Sequence, residues 1–227
     1  MDLIDGVVRD YPWGTTDVIP DLLGRPATGR PWAEYWLGTH PTGSASVGAT
    51  GVPLDELVAA DPRGTLGDVL AERFGGLPFM MKLLSAAEPL SLQAHPSTDQ
   101  AVAGFEHEEL VGIPRTAPHR SFRDRRHKPE LVCALTPFRA LCGFREPVST
   151  LDLLATLDTA ALDPVRDRLA ADPGPGGLRG VVAWLLGLDP ASAERVVASA
   201  VAACRSAVGA RFDEERALIP ELAAHHP

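Results

Sequence analysis

Short apolar runs, each bounded by glycine, proline or polar residues, recur along the chain up to about residue 147. Runs of roughly four to eight residues with such boundaries are typical of β-strands, because a strand ends where the chain must turn. The strands predicted in this way cover residues 7–8, 35–37, 77–84, 90–94, 131–135 and 141–144.

Two helical segments interrupt these strands. They cover residues 54–60 and residues 66–74. The second follows Thr65, and Asp68 occupies the position of the acidic residue in a capping box that starts there. Gly75 provides a C-terminal stop. The strand-rich part of the chain is therefore expected to contain two helices.

Beyond residue 147 the strand signals disappear and helical signals replace them. Asp163 and Asp189 each precede a proline, which places an N-cap before a proline in the first helical turn. A loop rich in proline and glycine at 172–177 separates two predicted helices, and later helices cover about 178–186 and 191–210. The residues that recur at helical spacing are Leu151, Leu154, Leu157, Leu162, Val165 and Leu169.

The change of pattern near residue 147 predicts two domains. The 227 residues, 45% of them hydrophobic, can bury one large core or two smaller ones. We expect a chain that is mainly β with α. Residues 1–147 would form a β domain with two helices, and residues 148–227 an all-α helical domain.

Charge and cysteine content narrow the class of protein. The net charge of −9 argues against general binding to nucleic acid or to anionic membranes. No apolar run approaches the ~20 residues of a membrane span, and the first residues do not resemble a signal peptide. Three cysteines without a CxxC motif fit a reducing compartment. A soluble, cytoplasmic protein without nucleic-acid or membrane partners is therefore expected.

The segment at residues 90–95 is the first candidate site. In a strand, Ser91, Gln93 and His95 share one face. An amide oxygen and an imidazole nitrogen one strand repeat apart can both bind a metal ion. The same pattern equally fits the solvated face of an edge strand, so this tripeptide alone leaves both interpretations open.

A second candidate site lies at His127-Lys-Pro-Glu130. In a strand, Lys128 and Glu130 point the same way. A carboxylate beside Gln93 and His95 would give a set of nitrogen and oxygen donors suited to zinc or a similar divalent cation. The alternative is an exposed ion pair between Lys128 and Glu130, which would contribute little to stability.

Basic residues suggest a small anionic ligand. Lys82 lies inside an apolar run and must reach water or an anion, because burying an unpaired ammonium group is costly. Between Arg115 and Glu130, six basic side chains oppose two acidic ones, and such a local positive field suits a small anion better than a polyanion. The alternatives are an edge-strand lysine that blocks aggregation and a solvated loop for the outer arginines.

Several separate motifs occur in a specific order over about residues 1–147. They are Tyr-Pro-Trp-Gly at 11–14, Trp-Ala-Glu-Tyr-Trp-Leu-Gly-Thr-His-Pro at 32–41, and the segments 77–85, 90–96, 127–130 and 135–144. Together they resemble the type I mannose-6-phosphate isomerase (phosphomannose isomerase) family. The resemblance implies cupin-like β domains with a helical domain inserted between strands. The expected fold is then an incomplete cupin-like β-sandwich or jelly roll plus an all-α domain.

The resemblance also implies roles for individual residues. Gln93, His95 and Glu130 match three zinc ligands, which implies one Zn²⁺ per chain. Trp13, Ser91, Lys82 and Glu34 match positions that line the sugar-phosphate pocket. The candidates for catalysis and proton transfer are Lys128, His127, Glu34 and Lys82.

The implied reaction interconverts mannose 6-phosphate and fructose 6-phosphate through an enediol, which supplies mannose for GDP-mannose synthesis. One proton moves between neighbouring carbons, so a positioned acid/base is required. A zinc ion would polarise the carbonyl, and cationic side chains would hold the phosphate. The sequence has neither a G-x-G-x-x-G motif after a strand nor a Walker loop, which argues against a nucleotide cofactor.

The sequence departs from the family pattern in two ways. Arg126 stands where the family has Asn, and the family's later strands, with a histidine as fourth zinc ligand and an active-site arginine, have no match. His225 and His226 are poor substitutes for that ligand. We therefore expect weak or no activity from this chain alone. The alternatives are a non-catalytic sugar-phosphate-binding cupin, one half of a split isomerase with a complementing C-terminal fragment as partner, and a metal-dependent cupin enzyme with another substrate.

Overall fold

Antiparallel pairing of short strands organises the first 90 residues. The computed structural model describes residues 2–225, which divide into a first unit of residues up to Leu90 together with Ala224 and His225, and a second unit from Ser91 to Ala223. In the first unit the strands pair as β1–β6, β4–β5 and β2–β3–β7. Their bounds are β1 (Ile4–Asp5), β2 (Val7–Arg9), β3 (Glu34–Leu37), β4 (Thr39–His40), β5 (Gly43–Ser44), β6 (Ser46–Val47) and β7 (Met81–Leu84).

The three-stranded sheet separates an apolar face from a polar one. Tyr35 of the central strand β3 packs with Ile19 and Trp32 in a buried cluster. Successive side chains of a strand alternate between faces, so Glu34 and Trp36 lie on the opposite face. Trp36 pairs directly with Lys82 of the neighbouring strand β7. Register therefore places an acid, an indole and an ammonium group on one side of the sheet.

The described residues of the first unit also contain four short helices. They are α1 (Val18–Leu22), α2 (Leu54–Ala60), α3 (Pro62–Leu66) and α4 (Asp68–Phe74). The predicted helix 54–60 is confirmed with the same bounds, and it buries Leu54 and Val58 against Ala45.

The helix predicted at 66–74 has a different start. Gly67, with a φ of +78°, separates α3 from α4. Asp61 caps α3 by accepting a hydrogen bond from the Gly64 N–H, so Thr65 is not the N-cap that the sequence pattern suggested. The glycine stop is confirmed, because Gly75 ends α4 in the left-handed conformation.

Helices are the regular elements from Ser91 onward in the described residues. A buried cluster that includes Leu154, Val165, Leu169 and Val181 holds several of them together. Their bounds are α5 (Thr98–Leu110), α6 (Pro147–Ala155), α7 (Asp163–Ala171), α8 (Pro175–Leu186), α9 (Pro190–Ser206) and α10 (Asp213–His225), with a 3-10 turn at Ala160–Leu162.

The capping signals of these helices are confirmed in part. Asp189 caps α9 by accepting a hydrogen bond from the Ser192 N–H at 3.0 Å, and α9 ends at Ser206, not near residue 210. Asp163 lies inside the first turn of α7, because the preceding 3-10 turn already sets a helical backbone. The loop predicted at 172–177 is shorter, since α8 begins at Pro175.

Three predicted strands are wrong. Residues 90–94, 131–135 and 141–144 have no strand structure, and the strand predicted at 77–84 is reduced to Met81–Leu84. A strand needs a hydrogen-bonded neighbour, and an apolar run does not specify one. Helix therefore exceeds strand in the described residues, which corrects the expectation of a mainly β chain.

The predicted domain boundary at residue 147 stays a prediction. The compact units divide at Leu90, whereas the change from strand to helix signals falls at the start of α6. None of the helices within residues 2–225 combines the length and the apolar character that crossing a membrane requires.

Candidate active site

Glu34 and Lys82 are brought together by the register of β3 and β7. The Lys82 Nζ lies 3.7 Å from the Glu34 Oε1, and the Trp36 indole N–H donates to the Glu34 Oε2 at 2.7 Å. The Glu34 side chain is only 11% exposed, so these partners compensate the loss of water around the carboxylate. β7 is also an edge strand of its sheet. Lys82 is therefore both a lysine on an edge strand and a lysine with an anionic partner, so both interpretations of this residue apply.

Trp13 lies in a tight turn beside the start of β3. Its ring stacks on Tyr11 with centroids 5.5 Å apart, and its carbonyl accepts a hydrogen bond from the Ala87 N–H at 2.8 Å. The next residue, Gly14, lies so close to Ala33 that a Cβ there would be 2.4 Å from the Ala33 Cα. The glycine of the Tyr-Pro-Trp-Gly motif is therefore required by a close backbone approach.

His95 and Glu130 come together in the second unit. The His95 Nε2 lies 3.3 Å from the Glu130 Oε2, and the two side chains are 35% and 45% exposed. Ligand atoms at about 2.0–2.2 Å from a tetrahedral zinc ion are about 3.3 Å apart. The observed separation therefore fits two ligands of one cation, and the residue types fit zinc.

Gln93 lies two residues before His95 and is exposed. Within residues 2–225 no group of three or more His, Cys, Asp and Glu side chains is arranged to hold a metal ion. Glutamine is not one of these four residue types. A site formed by His95, Glu130 and the Gln93 amide is therefore compatible with this result. The three-residue set Gln93, His95 and Glu130 stays a prediction, with His95 and Glu130 brought together.

The other predicted residues of this unit are exposed. Ser91 and His127 lie outside regular elements. The Lys128 Nζ lies 3.8 Å from the Asp124 Oδ2, and both side chains are about half exposed. Glu130 contacts His95, and the ion pair between Lys128 and Glu130 stays an alternative.

The strand argument for this site is therefore wrong, although two of its residues meet. Neither 90–95 nor 127–130 is a strand, so alternation along a strand does not explain why His95 and Glu130 converge. His225 lies in the last turn of α10, and His226 lies outside the described residues.

Sequence reasoning missed the helix between the two segments of the predicted metal site. Ser97 follows Pro96 and forms a capping box with Gln100, each side chain bonding the other residue's backbone N–H. This Ser-x-x-Gln signal was available in the sequence. It predicts the start of α5 directly after the His95 segment.

Sequence reasoning also missed a buried ion pair at the end of α5. Glu108 and Arg120 are both buried, and their nearest charged atoms are 3.3 Å apart. Burial raises the pKa of Glu108. Hydrogen bonds from the backbone N–H groups of Ser121 and Phe122, together with the positive charge of Arg120, outweigh burial and lower this pKa overall. Glu108 is therefore a carboxylate at neutral pH. Arg120 is therefore not one of the solvated arginines of this segment.

The neighbouring carboxylate makes this region sensitive to acid. Hydrogen bonds from Arg115 and Arg120 lower the pKa of Glu109 from 4.5 to about 2. The folded state therefore binds this proton less readily than the unfolded state does, so the stabilisation is present above about pH 4.5 and is lost as the pH falls towards 2.

We expect Glu109→Gln to destabilise the chain more at pH 6 than at pH 3. The measurement is urea unfolding of the wild type and the variant at both pH values. Glu106→Gln is the matched control, because Glu106 contacts Arg125 at 3.4 Å through an exposed pair. A gap between wild type and Glu109→Gln that is equal at pH 6 and pH 3 would contradict the role of Glu109.

Comparison with known proteins places these features in a family context. Residues 2–147 match the family described as "Phosphomannose isomerase type I, catalytic domain". The mannose-6-phosphate isomerase of Escherichia coli (strain K12) is 37% identical over 202 residues, which are 87% of this chain and 51% of the relative. The chain spans about half the length of the curated relatives it matches.

Solved structures give the same result. A crystal structure of mannose 6-phosphate isomerase bound with zinc and yttrium has a TM-score of 0.88 and 33% identity, and the match covers 100% of this chain and 57% of that chain. The Salmonella typhimurium enzyme bound to its substrate fructose 6-phosphate and to zinc has a TM-score of 0.84 and 32% identity, with the same coverage.

Proposed function

This chain belongs to the type I phosphomannose isomerase family, and on that premise we propose that it forms the metal-binding part of a zinc-dependent isomerase acting on mannose 6-phosphate and fructose 6-phosphate. The observation that carries the proposal is the 3.3 Å separation of the His95 Nε2 and the Glu130 Oε2. A cupin-like fold, a cytoplasmic location and a supply of mannose for GDP-mannose synthesis belong to the same proposal.

His95 and Glu130, with Gln93 as the third ligand, are the residues that would hold the ion. Bound there, zinc would polarise the sugar carbonyl and stabilise negative charge that develops on its oxygen. A site with three protein ligands retains a position for water or substrate. The exposure of both ligating side chains leaves such a position accessible.

The remaining candidates supply proton transfer and phosphate binding. Aldose–ketose interconversion moves a proton between adjacent carbons, which a carboxylate, imidazole or amine at the reacting carbons can do. Glu34, His127 and Lys128 are the candidates for that step. Lys82, with Trp13 and Ser91, is assigned to the sugar phosphate, since its ammonium group complements the phosphate charge.

A split isomerase is the second candidate function. Leu92 and Leu131 are 91% and 95% exposed although they are adjacent to Gln93 and Glu130 in sequence, and Phe144 is 72% exposed. Exposed apolar residues concentrated near a site are typical of an interaction surface. We propose that a complementing polypeptide, equivalent to the part of the relatives that this chain does not span, covers them in the active enzyme.

The test measures zinc binding and turnover with the 227-residue chain. We expect one zinc per chain in competition with a chromophoric chelator, and slow zinc-dependent conversion of mannose 6-phosphate that a complementing C-terminal polypeptide accelerates. Binding of zinc and mannose 6-phosphate without turnover, even with that polypeptide, would favour a non-catalytic sugar-phosphate-binding protein. Absence of zinc binding would overturn the proposal.

A further inference from the structure

The helix α5 connects the two segments that hold the proposed zinc ligands. Its N-cap, Ser97, follows His95 after a single proline. From the end of α5 the chain turns back and reaches Glu130 through residues 111–129. Those intervening residues contain no helix or strand, so backbone hydrogen bonds of regular structure do not fix the position of Glu130 relative to His95.

Glu108 attaches this returning segment to α5. Its two carboxylate oxygens accept hydrogen bonds from the Ser121 N–H at 2.9 Å and from the Phe122 N–H at 2.7 Å. The Phe122 ring lies directly on α5 at Gly104, where an added Cβ would be 2.5 Å from the ring. One side chain and one aromatic contact thus fix residues 121 and 122 against the helix.

Arg120 completes the attachment from inside the segment. Its side chain is 0% exposed and lies 3.3 Å from the Glu108 carboxylate and 2.8 Å from that of Glu109. Its guanidinium also donates to the carbonyls of Ile113 and Phe122. Burying a guanidinium is costly, and here two carboxylates and two carbonyls surround the buried group.

We propose that the Glu108–Arg120 pair positions Glu130 relative to His95 and thereby sets the separation of two zinc ligands. The inference rests on the proposed function, because it assigns the pair a role toward that same ion. The two residues do not touch the ion. They act by holding the segment that leads to Glu130 against the helix that begins at the His95 segment.

The test compares Glu108→Gln with Glu106→Gln on the same helix. Glutamine keeps the size of Glu108 but replaces one acceptor oxygen with a donor, which cannot bond a backbone N–H. We expect zinc affinity, measured with zinc alone against a chromophoric chelator, to fall by about 10-fold, a typical loss for residues that orient metal ligands. The Glu106→Gln control is expected to bind within about 2-fold of the wild type, since the Glu106 pair with Arg125 is exposed.

A double-mutant cycle separates positioning from general destabilisation. If Glu108 acts through Glu130, the Glu108→Gln/Glu130→Gln double variant binds zinc as weakly as Glu130→Gln alone. Additive losses would overturn the inference, because Glu108 would then affect zinc by another route. Where Glu108→Gln fails to fold by circular dichroism, Arg120→Lys serves instead, since it keeps the charge and removes the guanidinium contacts to Ile113 and Phe122.

Amide hydrogen exchange of the metal-free chain provides an independent readout. We expect Glu108→Gln to accelerate exchange at Ser121 and Phe122. Faster exchange with unchanged zinc affinity would overturn the positioning role while leaving the proposed function intact. A wild-type chain that binds no zinc would instead overturn the proposed function itself, so the two failures are distinguishable.

Discussion

Replacing His95 with alanine is expected to weaken zinc binding at least about 100-fold. The imidazole Nε2 is one of two donor atoms that lie 3.3 Å apart, the spacing of two ligands on one tetrahedral ion. Four-ligand zinc sites bind with about 10–16 kcal/mol, so each ligand contributes on the order of 3 kcal/mol. That amount corresponds to about a 100-fold change in the dissociation constant.

The measurement is competition for zinc against a chromophoric chelator, with the fold checked by circular dichroism. His119→Ala is the matched control, because His119 is an exposed histidine of the same unit. It is expected to bind zinc as the wild type does. Wild-type affinity in His95→Ala would show that any bound zinc lies elsewhere, and the assignment of His95 and Glu130 as ligands would be wrong.

The proximity of two residues of the candidate site could be predicted from the sequence, but for a reason that the structure corrects. His95 and Glu130 meet as expected, yet neither belongs to a strand. Alternation along a strand requires a partner strand, and hydrophobic pattern alone does not identify partners. In the same unit, residues 121 and 122 are attached to α5 through hydrogen bonds to Glu108. No repeating hydrophobic pattern in the sequence predicts that contact.

Helices with local signals were predictable where those signals were complete. The helix α2 has the predicted bounds because its apolar residues, Leu54 and Val58, lie one turn apart on a buried face. The helix α5 was missed because Ala101 and Phe105 are its only buried apolar residues within a polar sequence. Gly67 split another predicted helix, since its φ of +78° ends the helical backbone.

Replacing Gly14 with alanine is expected to lower the free energy of unfolding by about 3 kcal/mol, at the upper end of the usual cost of overpacking. An alanine Cβ at this position would be 2.4 Å from the Ala33 Cα and 2.5 Å from the Ala33 N. Both are backbone atoms that cannot rotate away as a side chain would. Urea unfolding at neutral pH measures the loss.

Gly76→Ala is the control that separates this clash from the general effect of removing a glycine. A Cβ at Gly76 meets no atom within 4 Å, so that variant should match the wild type or exceed its stability slightly, as Gly→Ala does at unstrained positions. Equal stability of Gly14→Ala and Gly76→Ala would contradict the steric argument. A loss of stability confined to Gly14→Ala would show that the turn containing Trp13 requires a glycine at its next position. The reason is that this turn packs against Ala33, the residue before Glu34.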